Sequence, residues 1–192
     1  MFDPLRFDSA TTVALRAVFD SATARHLPLA PLINKANWGA SWRASGRKIV
    51  SNVQAHYVNM LDARKALGES ATESELDSGA DAIRQGAEPK VLQQIRVTRP
   101  SRGSTVNALV VMSDLILKGI PPNKARDAIL SLARVSPTDE AINGLQELVA
   151  KQSVRGPGMA QDALERYVKG NVQGAKNAPK PVTRLPSPPD AT

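Results

Sequence analysis

The stretch from Ser104 to Arg134, STVNALVVMSDLILKGIPPNKARDAILSLAR, decides the fold. Val106, Leu109, Val110, Met112, Leu115, Ile116 and Leu117 cover most of a helix circumference and leave a thin polar strip at Asn107, Asp114 and Lys118. A helix apolar nearly all round is one that others pack against. After the connector, Ala125, Ala128, Ile129, Leu132 and Ala133 recur at i, i+3, i+4, i+7 and i+8, while Lys124, Asp127, Ser131 and Arg134 fall off that face. That is the pattern of an outer helix. Gly119 can take the left-handed conformation that ends the first helix, and Pro121 and Pro122 suit the first turn of the next. The stretch predicts an antiparallel helical hairpin.

The same grammar extends in both directions. Ser9 to Ala24 reads as a helix with Ser9 as its N-cap, and Leu27-Pro28-Leu29-Ala30-Pro31 as a break before a short helix over Leu32 to Ala36. Gly39 to Gly46 reads as a loop, followed by the longest helix, Arg47 to Leu67, which Gly68 ends. Ser70-Ala71-Thr72-Glu73 has the form of a capping box for a helix running to about Gln85. Gly86-Ala87-Glu88-Pro89 repeats the Gly119 to Pro122 connector at an offset of 33 residues, ahead of a short helix through Val91, Leu92 and Ile95. Val97 to Gly103 is a breaker and a hinge candidate. Ser136-Pro137-Thr138-Asp139 caps a further helix, Gly156-Pro157-Gly158 breaks it, and a last helix ends at Gly170. No alternating β-branched run is long enough to seed a sheet. The expectation is an all-α single domain over residues 1–170, arranged either as a multi-helix bundle or as an irregular helical-hairpin array. Residues 171–192, with Pro179, Pro181, Pro186, Pro188 and Pro189, read as a Pro-rich disordered tail.

Composition removes whole classes of chemistry. The chain of 192 residues has no cysteine, so disulfides, thiolate metal sites and cysteine nucleophiles are excluded. Only 4% of residues are aromatic against 42% hydrophobic, which leaves a core of Ala, Leu, Val and Ile. The net charge of +7 favours anionic partners or surfaces, although part of it falls at Lys176, Lys180 and Arg184 in the tail. No run of about eighteen apolar residues appears, so no transmembrane segment is expected. Met1 to Asp8 lacks the basic flank and apolar run of an export signal. As written the chain is expected in the cytoplasm, or in the cell envelope or outside the cell if a leader precedes Met1.

Leu27 to Ala36 followed by Gly39, then Ile49-Val50, Ala63-Arg64-Lys65-Ala66-Leu67-Gly68, Ala80 to Gly86 and Gly119-Ile120-Pro121 resemble a group of uncharacterised, helix-rich bacterial proteins. The likeness spans about residues 27–135 and rests on apolar rhythm and loop residues. It implies a helical fold and the cell envelope, and it brings no activity with it. Trp38 and Trp42 depart from the pattern, where small or polar residues are expected.

The candidate chemistry is thin. His26 and His56 sit in no metal-ligand spacing, and His56 is expected at the solvent edge of its helix. Gly39 to Lys48 fails the phosphate-loop pattern, because Arg47 holds the lysine position and no Ser or Thr follows Lys48. Glu69, Glu73, Glu75, Asp77 and Asp81 lack the EF-hand order and suit a helix N-terminus. These gaps predict no enzyme, no cofactor and no metal. Two binding readings remain. Trp38 and Trp42, with Arg43 and Arg47, are the one place where large aromatics and cations coincide: either the rings pack inward, or they form an exposed anchor for a protein partner. The alternative is a nucleic-acid contact through Arg96, Arg99 and Arg102, which lacks interleaved aromatics to stack on bases. The expectation is a non-enzymatic interaction module, with a protein partner ahead of nucleic acid and oligomeric state open.

Overall fold

The computed structural model describes residues 2–99, 104–136 and 138–177. Among them the chain forms a 3-10 turn, Pro4–Arg6, and nine α-helices with no strand: α1 Ser9–Ala24, α2 Ala30–Ser41, α3 Gly46–Leu67, α4 Glu73–Arg84, α5 Pro89–Thr98, α6 Thr105–Leu117, α7 Pro122–Val135, α8 Glu140–Ser153 and α9 Pro157–Asn177. The all-α expectation holds. Residues 178–192 of the expected tail lie outside the described residues.

The helices stack as rows. α4, α6 and α8 pack on one another in sequence, α5, α7 and α9 form a second row beside them, and α3 meets both rows at the N-terminal end and also carries α1 and α2. Each helix of the second row opens with a proline, at Pro89, Pro122 and Pro157, 33 and then 35 residues apart. Each helix thus packs mainly on helices one or two places away in the chain. α6 sits where its composition demands, against α4, α5, α7 and α8, with Ala108, Leu109, Val111, Met112 and Leu115 buried.

One local device recurs at four helix ends. The amide of Ile120 donates to the carbonyl of Leu115 at 3.1 Å and that of Gly119 to Ile116 at 2.9 Å, with Gly119 at φ 87°. This pair of bonds closes the helix and turns the chain. The same pair ends α4 through Gly86 and Ala87, α1 through His26 and Leu27, and α2 through Arg43 and Ala44. His26 and Arg43 hold the left-handed conformation without being glycine, at φ 53° and 52°.

Several boundaries differ from the sequence reading. Asp8, not Ser9, caps α1: its carboxylate accepts from the Thr11 amide at 2.8 Å and the Thr11 hydroxyl at 2.7 Å, which lowers its pKa. The Gly39–Gly46 loop shrinks, because α2 continues to Ser41 with Gly39 against Ile49, where an added Cβ would lie 2.9 Å from Cγ1. Packing on α3 thus holds a glycine inside the helix. The capping box forms two residues later, between Thr72 and Glu75. α8 begins at Glu140 behind Asp139, and Pro137 lies outside the described residues. α5 extends through Thr98, so the breaker begins later than read, and residues 100–103 of the hinge candidate are outside the described residues. α9 passes through Gly170 and Gly174 to Asn177. A glycine costs a formed helix about 1 kcal/mol, too little to stop propagation.

Candidate functional site

The end of α2 carries the two tryptophans. Trp38 lies in its final turns and Trp42 is its C-cap, with ring centroids 5.8 Å apart at an interplanar angle of 68°. They pack edge to face on each other and stay 67% and 71% exposed. Of the two fates open to them from sequence, the structure shows the outward one. Trp42 and Arg43 are held by the turn that closes the helix, with the Arg43 amide donating to Ala40 at 2.9 Å and the Ala44 amide to Gly39 at 3.0 Å. Arg43 and Arg47 are exposed and form no ion pair among the described residues. Below them the start of α3 is seated on α1. An added Cβ at Gly46 would overlap the Thr11 hydroxyl, and Arg6 donates to the Ser41 hydroxyl at 3.1 Å. Trp38, Trp42 and Arg43 thus stand at the closing end of α2, and Arg47 lies in the first turn of α3.

Beside Trp38 a groove of about 270 Å³ runs between α2 and α4, lined by Pro31, Asn34, Lys35, Trp38 and Asp77. Behind it lies a polar network that the sequence did not disclose. His56 on α3 is wholly buried, not at a solvent edge, and its Nε2 lies 2.8 Å from Asp77 Oδ1. Its Nδ1 faces Asp81 Oδ1 at 3.6 Å, and Lys35 Nζ donates to that same carboxylate at 2.7 Å. With Nε2 protonated, the ring donates to Asp77. That hydrogen bond, helped by the charges of His56 and Lys35, holds the Asp77 carboxyl below the usual carboxylate range against the opposing effect of burial. The result is an ionised, oriented carboxylate at the groove, its side chain 42% exposed.

Two members of the alternative cationic cluster are engaged elsewhere. Arg96 donates to the Leu67 carbonyl and, at 2.9 Å, to the Ser70 hydroxyl, tying α5 to the end of α3. Arg99 is buried, with its guanidinium on Asp139 and on the Thr138 carbonyl, and Asp139 also accepts from the Ser104 amide at 3.1 Å. Both side chains are engaged in holding helix ends together. Arg102 lies outside the described residues.

A second concavity, about 690 Å³, opens between the α7–α8 connector and the end of α9, with Glu140 as the one charged residue among its lining groups. Among the described residues no three His, Asp or Glu side chains converge as a metal set, and no helix is long and apolar enough to cross a membrane.

No family model, characterised protein or solved structure matches this chain.

Proposed function

We propose that the chain is a non-enzymatic helical interaction module that docks a protein partner through Trp38, Trp42, Arg43 and Arg47. The observation that carries this reading is the exposure of two large aromatic rings, packed on each other and fixed at a helix end, with the exposed Arg43 and Arg47 following in the chain and in no ion pair among the described residues. Exposed tryptophan is costly in water, and tryptophan and arginine are the side chains that most often dominate binding energy at interfaces. Pre-packed rings lose little entropy on binding. Nucleic acid is the less favoured partner, because Arg96 and Arg99 already serve other groups.

The test compares immobilised full-length chain with its Trp42→Ala and Arg43→Ala variants in capturing proteins from cells that make it. A partner retained by the wild type and lost by about thirtyfold with Trp42→Ala supports the proposal. A captured set indifferent to both variants removes it. Affinity for duplex or single-stranded DNA that falls steeply with salt would move the reading to nucleic acid.

A further inference from the structure

The groove beside Trp38 combines features that the exposed rings alone do not require. Trp38 supplies an aromatic wall, Pro31 an apolar surface, Asn34 an exposed amide and Asp77 a carboxylate. The space is about 270 Å³, just under the usual range for a drug-sized ligand and suited to one long side chain. An entirely apolar occupant would strip water from Asp77 and Asn34 without replacing its hydrogen bonds, which is costly.

The charges decide what enters. Lys35 of α2 is matched to Asp81 of α4 at 2.7 Å, so this pair cancels. Asp77 of α4 gives one oxygen to His56 of α3, and its carboxylate remains partly open to solvent. His56 has no exposed surface, so the open charge these groups present to the groove is the Asp77 carboxylate. An anion would meet that charge with no free cation inside to receive it. The wholly buried His56 backs Asp77 and fixes its orientation, so the carboxylate is set in place before any ligand arrives.

We infer that this groove receives a single arginine side chain of the partner, its guanidinium stacked on Trp38 and hydrogen-bonded to Asp77. The inference rests on the docking reading of this edge and names the chemistry of one contact within it. Arginine fits better than lysine, since a planar guanidinium stacks on an indole and can donate two bonds to a carboxylate, whereas an ammonium is a compact point charge.

The test uses isotope-labelled full-length protein and three capped tripeptides with arginine, lysine or citrulline between glycines. Citrulline keeps the shape of arginine and removes its charge. The readouts are the indole N–H signals of Trp38 and Trp42 and the side-chain amide of Asn34. The expected result is saturable movement of the Trp38 and Asn34 signals with the arginine peptide, weaker binding of the lysine peptide, and citrulline weaker by about tenfold. Trp38→Leu and Asp77→Asn each weaken the arginine peptide by about tenfold, while Val154→Ala, an exposed residue at the end of α8, stays within about twofold. Asp77 also holds His56, so thermal melts of both groove variants accompany the titrations. The exposed Trp38 site gives a variant that keeps the fold. Equal binding of citrulline and arginine, no saturation, or indifference to Trp38→Leu would overturn the assignment. If it is overturned while partner capture still depends on Trp42 and Arg43, the groove reading falls alone; if capture fails as well, the docking edge falls with it.

Discussion

His56 and Asp77, 21 residues apart in sequence, meet at 2.8 Å and join a wholly buried imidazole on α3 to a partly exposed carboxylate on α4. The bond does two things at once. It satisfies a ring nitrogen inside the core, and it aims a charged group at the groove beside Trp38.

Replacing Asp77 by Ala leaves that nitrogen without its acceptor. The expected loss is about 1–2 kcal/mol at neutral pH, moderated by the solvent that reaches the site. Because the folded carboxyl titrates below its ordinary value, its contribution is fully present above about pH 4 and declines as pH falls through the lowered folded value. Urea unfolding of wild type and Asp77→Ala across pH should show the gap between them narrowing on the acid side. A gap that widens there would contradict this sign.

Arg43 holds a left-handed backbone that glycine adopts without steric cost. Arg43→Gly should therefore stabilise the fold by about 0.5–1 kcal/mol after allowing for the greater freedom of glycine in the unfolded chain. The same variant should bind the partner more weakly, since it removes an exposed guanidinium. His26→Gly, at the equivalent point of α1, should raise the melting temperature similarly and leave partner binding unchanged.

The Arg99–Asp139 pair predicts the largest single effect. Asp139→Ala strands a guanidinium with no exposed side-chain surface and deprives the Ser104 amide of its acceptor, at an expected cost of about 3–5 kcal/mol in urea unfolding. Arg99→Met, which removes the charge along with its need for a partner, should cost clearly less.

The connectors were the legible part of this chain. A glycine followed two or three residues later by proline has a fixed backbone meaning, and Gly86–Pro89 and Gly119–Pro122 both form the turns their residues require. A third member, Gly156-Pro157, read in isolation as a break, completes the spacing. It follows its predecessor at 35 rather than 33 residues, and proline succeeds its glycine at once. The pairing of Trp38 and Trp42 was also legible, because residues four apart lie on one face of a helix. Their outward direction was not, since an isolated tryptophan reads equally well as core. The His56–Asp77 and Arg99–Asp139 pairs were beyond reach for a different reason. Each joins residues on separate helices, and apolar periodicity says which face of a helix is inward but not which polar side chains meet there. Arg99 looked like a cation for a phosphate because its carboxylate partner is 40 residues away.

The row arrangement sets how the molecule reaches its folded state. Each helix finds its main partners among those one or two places away in the chain, so few loops must close over long distances before packing rewards them. Such a chain has a low contact order and should fold quickly, beginning wherever one adjacent group first holds and growing outward from it.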